Sequence, residues 1–177
     1  MAVDDLLQAT LERASGRLAA YGYLLTGSQH AAEDLVQDAL VKVFVKRRRI
    51  PNAAAAEGYV RAAMRSLHID CMRRETLWRR VIHTQVTPET QPDVAEQIVT
   101  SDAVATALAA LSPRQRTAVV LRYFDDLTVA DVAQAMGLAQ GTVKRYLSDA
   151  LDRLAAEVGS EAFEHERIAV IETEGRP

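Results

Sequence analysis

The stretch LSPRQRTAVVLRYFDDLTVADVAQAMGLAQGTVKRYL, Leu111 to Leu147, constrains the fold most, because its helix boundaries are written into it. Ser112 precedes Pro113 and is followed three residues later by Gln115, the pattern of a capping box with proline at the first helical position. Thr128 and Asp131 repeat the pattern, and Leu127 and Val132 stand where a hydrophobic staple would join the helix entry to its first turn. Gly137 closes that second helix, since glycine accepts the left-handed backbone of a helix C-terminus at no steric cost. Helical spacing assigns Thr117, Val120, Leu121 and Phe124 to one apolar stripe. It assigns Val129, Val132, Ala133 and Met136 to a second, and Val143, Leu147, Ala150, Leu151 and Leu154 to a third. A supporting helix, a capped helix, a glycine turn and a final helix make a helix-turn-helix unit.

The rest of the chain has the same period. Leu6 to Leu25 predicts a helix with Leu7, Leu11, Leu18, Tyr21 and Leu25 inward, broken at Gly27. Ser28 is the expected N-cap of a second helix with Ala32, Leu35, Val36, Ala39, Leu40 and Val43 on one face and Asp34, Gln37, Asp38 and Lys42 on another. After a loop holding Pro51 and Asn52, a third helix from Tyr59 places Val60, Ala63, Met64, Leu67 and Cys71 on its core face and Arg61, Arg65 and His68 on another. Strand-type alternation is almost absent, so the fold class is all-α. Two small helical domains are expected, residues 1–80 and 102–157. A polar linker over 81–101 joins them and an acidic tail follows at 158–177. Extended, a linker of about 20 residues spans up to ~70 Å, so the domains can grip well-separated sites.

Charge divides the chain unevenly. Residues 1–80 hold 13 Lys/Arg against 9 Asp/Glu, while residues 158–177 hold 2 against 5, and the whole chain carries −3. A basic first half is therefore hidden by an acidic linker and tail. The N-terminus has two acids where a secretory signal needs positive charge, and no window approaches the ~18 apolar residues of a membrane span. With one cysteine, no internal disulfide can form, and a reducing cytoplasmic compartment with no membrane insertion is the expectation.

Nothing in the sequence has the spacing of a catalytic, metal-binding or cofactor site: there is no CxxC pair, no HExxH, no glycine-rich phosphate loop and no GxSxG. His68 and Asp70 lie two apart and so point to different sides of a helix. What remains is binding chemistry. Gln140, Thr142, Lys144, Arg145 and Tyr146 offer base-edge and phosphate donors at the start of the last helix. VKRRRIPN and RRETLWRR, brought together with Arg61, Arg65 and His68, would form a surface suited to the phosphate backbone. Trp78, among four arginines, either stacks on a base or caps the core, and both readings stay open.

These residues carry a family resemblance. YLLTGSQHAAEDLVQDALVKVF resembles conserved region 2 of the group IV, or extracytoplasmic-function, sigma factors. LAALSPRQRTAVVLRYFDDLTVADVAQAMGLAQGTVKRYLSDALDRL resembles their region 4, and the likeness covers about residues 5–157. It implies a bacterial sigma subunit that binds core RNA polymerase, at the clamp helices and the flap region, and selects promoter DNA. It implies that Asp34, Gln37 and Asp38 meet the clamp helices. The loop from Arg47 to Glu57, with Arg48, Arg49 and Asn52, and the helix bearing Arg61, Arg65, His68, Arg73 and Arg74 would hold the opened −10 element. Gln140, Thr142, Lys144, Arg145 and Tyr146 would lie at the −35 element. An anti-sigma factor is a further expected partner.

The chain departs from the family pattern at the recognition helix. Ala139 stands where a capping Ser is common, a loss of ~1 kcal/mol. Arg145 and Tyr146 replace Ser and Arg, Asp149 replaces a later Arg, and Ser66 stands where Asn is frequent in the third helix. The rival reading is a stand-alone helix-turn-helix regulator whose first domain dimerises. A polar, acidic outer face on the second helix favours polymerase docking, and a broadly apolar one favours a dimer.

Overall fold

The computed structural model describes residues 3–46, 50–82 and 107–158, and the chain divides into two compact units, 1–98 and 99–177. All the regular elements among the described residues are helical.

In the N-terminal unit, α1 (Val3–Thr26), α2 (Gln29–Lys46) and α3 (Ala53–Ile82) each pack on the other two. The buried row of α1 is Leu6, Thr10, Ala14, Leu18, Tyr21 and Leu25. Leu7 and Leu11, expected inside, are only half-buried. The true row steps by four and passes through Thr10, a polar residue that reads as surface. Its hydroxyl is satisfied within the helix, donating to the Leu6 carbonyl at 2.7 Å, so burial leaves no polar atom stranded. Gly22 fixes how closely α1 meets α2: a Cβ there would lie 3.1 Å from both Cβ and O of Ala32. Gly27 ends α1 at φ 71°, and Ser28 caps α2, its Oγ accepting from the Ala31 N–H at 3.4 Å. The α2 stripe is inward as expected, with Ala32, Leu35, Ala39 and Val43 buried and Val36 and Leu40 half-buried.

The third helix corrects the sequence in three ways. It begins at Ala53, six residues before Tyr59, because Asn52 caps it: Oδ1 accepts from the Ala55 N–H at 2.9 Å, and four alanines then propagate the helix. The segment to Glu57 is thus half helix rather than loop. Its C-terminal end runs to Ile82, past the expected domain end at 80. Cys71, expected in the core, is exposed and Leu67 is only half-buried: Ala56, Val60, Ala63, Met64 and Ile69 are buried, and from 70 to 78 no residue is.

In the C-terminal unit a helical turn at residues 107–109 precedes α4 (Pro113–Val119), a π-helical turn (Val120–Phe124), α5 (Val129–Met136) and α6 (Gln140–Val158). Both capping boxes form. At Gly137, φ 66°, the Leu138 N–H reaches the Ala133 carbonyl at 2.9 Å and the Gly137 N–H reaches Gln134 at 3.2 Å, a Schellman closure. Val143, Leu147, Ala150, Leu151 and Leu154 are all buried. Phe124 is not: it is half exposed, because the Asp125 N–H bonds the Val120 carbonyl five residues back and the widened turn rotates Phe124 off the stripe. Val129 is half-buried. Arg116, unremarkable in the sequence, is buried and holds the preceding turn, its guanidinium donating to the carbonyls of Leu108 (3.0 Å) and Leu111 (3.4 Å).

Candidate nucleic-acid and polymerase interfaces

The outer face of α2 is one straight row. Asp34, Gln37, Asp38, Val41 and Val45 fall within a narrow arc at helical spacing, and all five are exposed. Val41 and Val45, at 61% and 78% exposure, extend the acidic face with an apolar end that sequence reasoning missed. His30 lies 3.7 Å from Asp34 at the start of the row. Lys42 leaves it, its ammonium reaching Ser66 Oγ of α3 at 3.5 Å.

On α3 the residues expected to meet DNA separate into groups. Arg61, Arg65 and His68 are half-buried against the bundle, and the Arg61 guanidinium lies 5.0 Å from the centre of the Tyr21 ring on α1. Arg73 and Arg74 stand beyond the packed part of the helix and are exposed, Arg74 donating from Nε to the Asp70 carbonyl at 3.3 Å. Asn52 is occupied as the cap of α3, and Arg48 and Arg49 lie outside the described residues. Glu57 is held by α1: Arg17 donates to both its oxygens at 2.8 Å and Arg13 lies 3.7 Å away. The hydrogen bond from Arg17, ahead of the charges of Arg17, Arg13 and Arg61, keeps the Glu57 carboxyl below the usual carboxylate range against the opposing effect of burial. Trp78 is 65% exposed, so the core-capping alternative is excluded.

On α6, Arg145 and Asp149 are exposed on the side away from Val143, Leu147 and Ala150, Thr142, Lys144 and Tyr146 are half-buried at its flanks, and Gln140 is exposed at its start. The Arg145 guanidinium sits 5.9 Å from the Tyr146 ring centre, and among the described residues no ion pair joins it to Asp149. The Tyr146 hydroxyl accepts from Arg114 Nη1 of α4 at 3.4 Å. Arg114 thus reaches the Tyr146 side of α6 from 32 residues away, and no local signal in the sequence marks it.

A capped helix-turn-helix behind a supporting helix is the architecture of a helix-turn-helix DNA-binding protein. Residues 11–77 match the Sigma-70 region 2 family and residues 101–154 match Sigma-70, region 4. The RNA polymerase sigma-E factor of Streptomyces coelicolor is 32% identical over 128 residues, covering 72% of this chain and 71% of its own. The ECF RNA polymerase sigma factor SigL of Mycobacterium tuberculosis is 30% identical over 154 residues, 84% of this chain and 86% of its own. The sigma factor RpoE of Bartonella quintana, solved with the anti-sigma factor NepR, shares the fold at TM-score 0.53 and 24% identity over 85% of this chain and 95% of that one. The chain belongs to the ECF RNA polymerase sigma factors, which direct promoter-specific transcription initiation with core RNA polymerase. Among the described residues no helix is long and apolar enough to cross a membrane.

Proposed function

We propose that the division of labour within this sigma factor follows its two units. The row Asp34–Gln37–Asp38–Val41–Val45 docks on the clamp helices of the polymerase, acids supplying register and the two valines supplying apolar area. Arg65, His68, Arg73 and Arg74 of α3 hold the single-stranded −10 element, with Arg48 and Arg49 ahead of the helix. Arg61 acts from its place over Tyr21, and Asn52 acts by starting α3. Gln140, Thr142, Lys144, Arg145 and Tyr146 read the −35 duplex, and the C-terminal unit meets the flap region. The factor works in the cytoplasm without catalysis of its own, and an anti-sigma factor holds it inactive. The observation that carries this reading is the exposed α2 row, whose acids form one continuous face with no buried role to explain them.

Modest overall charge fits such a factor, since the polymerase supplies much of the electrostatic grip on DNA and the sigma subunit supplies choice. The test is Asp34→Arg with Asp38→Arg. Co-elution with core polymerase should be lost while the circular-dichroism helix signal stays at the parent level. A double variant that assembles as the parent does places the docking face elsewhere.

A further inference from the structure

The core stripe of α3 does not stop where the core does. Val60, Met64, Leu67, Cys71 and Trp78 keep helical spacing along one side, but Leu67 is only half-buried, no residue from 70 to 78 is buried, and Cys71, Leu77 and Trp78 are exposed. At 1.5 Å per residue the helix carries Trp78 roughly 13 Å past Ile69 along its axis. A lone exposed apolar residue needs no explanation, but here two large apolar neighbours, Leu77 at 60% and Trp78 at 65%, stand bare together. Tryptophan brings the largest apolar surface of any side chain to whatever covers it.

The surrounding charge says what that is. Residues 73–80 hold four arginines and one glutamate, Glu75. Arg73 and Arg74 are exposed, and Arg74 precedes Trp78 by four residues, so the two are neighbours on the helix surface. An aromatic face beside guanidinium groups is the combination that holds single-stranded nucleic acid: the ring stacks on a base and the cations meet the adjoining phosphates. A cationic polypeptide surface would be repelled here, and a neutral apolar one would leave the arginines idle.

We propose that Trp78 is a stacking station for an unpaired DNA base, with Arg74 taking a flanking phosphate. The proposal rests on reading α3 as the single-strand side of the N-terminal unit, and it adds a contact one helical turn beyond the residues that reading names. Stacking is tolerant of base identity, so Trp78 holds the open strand without selecting its sequence.

Trp78 is the single tryptophan of the chain, so its own emission reports the contact. Titrating the full-length protein with a short oligo(dT) strand at low salt should quench that emission in step with the anisotropy of the labelled strand. Binding without quenching, or no binding at all, overturns the proposal. In reconstituted holoenzyme on a promoter with a pre-opened bubble, Trp78→Phe should keep affinity within about twofold. Trp78→Leu, equally apolar but unable to stack, should lose roughly tenfold, within the range one stacked base contributes. Co-elution with core polymerase should be the same for both variants and the parent. Parent-level bubble affinity in Trp78→Leu overturns the proposal, and so does loss of its assembly with polymerase, which would assign the patch to a protein contact. The underlying reading of α3 fails separately, if Arg65→Ala and Arg73→Ala leave promoter opening unchanged.

Discussion

In the C-terminal unit helix ends are set by residues within three positions of them: Ser112 with Gln115, Thr128 with Asp131, Gly137 with the carbonyls of Ala133 and Gln134. In the N-terminal unit α2 and α3 also begin at caps, Ser28 and Asn52, but the faces of the helices are set by partners far away in sequence. Gly22 packs on Ala32, Arg17 of α1 grips Glu57 of α3, and Arg61 of α3 covers Tyr21 of α1. Both units bury a threonine whose hydroxyl is satisfied four residues back, Thr10 on the Leu6 carbonyl and Thr117 on that of Pro113. The second, with helices of 7 and 8 residues in α4 and α5, relies on caps because so few turns leave each unsatisfied end a large share of the whole.

The largest expected effect tests the packing side of this contrast. Leu18 and Leu147 are both fully buried, one in each unit. Leu18→Ala and Leu147→Ala should each cost about 2–5 kcal/mol in denaturant unfolding, since both leave a cavity. A cost below 1 kcal/mol for Leu18→Ala would show that the helical bundle repacks and that its long-range contacts are weaker than described.

Next comes the α1–α2 approach. Gly22→Leu should destabilise by about 1–3 kcal/mol, because the added side chain meets Ala32 backbone and not a flexible side-chain end. An unchanged midpoint in the same denaturant experiment would mean that the two helices can part without loss.

On the local side, Gly137→Ala forces an L side chain into the left-handed region at φ 66° and should cost about 1–2 kcal/mol. Thermal unfolding checks it. A gain in stability, as for an ordinary glycine inside a helix, would remove the Schellman closure from the account of this unit.

The smallest effect is in pH. Glu57 is held below its ordinary value, so the folded state favours the ionised carboxylate. The stabilisation is fully present above the ordinary value of 4.5 and is lost as pH falls through the lower folded value. The pair is largely exposed on the Arg17 side, which keeps the effect small. Glu57→Gln should flatten the acid limb of the stability–pH curve slightly, by lowering stability a little at neutral pH while leaving it unchanged at pH values where the carboxyl is already protonated. An acid limb identical to the parent's would show that the contact adds nothing.

Much of this was legible from residues alone. The α6 stripe Val143, Leu147, Ala150, Leu151 and Leu154, the α2 stripe and the caps Ser28, Ser112, Thr128 and Gly137 could be read because helical period and cap chemistry are local, whereas the Asn52 cap read as loop. The acidic row of α2 was legible for the same reason. Val41 and Val45 were missed because valine on a helix reads as core unless the partner surface is known to end. Phe124 and Cys71 failed alike: each continued an apolar stripe correctly by period, but one was turned away by a π-helical turn and the other ran past its partners.

What the sequence by itself determined, then, is that the chain is helical, where the helices with strong caps start or stop and roughly which side of each is apolar, since those follow from a residue and its neighbours within one turn. Only the tertiary structure decided where along a stripe burial ends, because that depends on the length of the facing helices. It alone placed Thr10 inside, brought Arg114 to Tyr146 and left Trp78 bare in the last third of α3. Each of those depends on a contact, or on the lack of a facing surface, that helical period along one chain segment cannot encode.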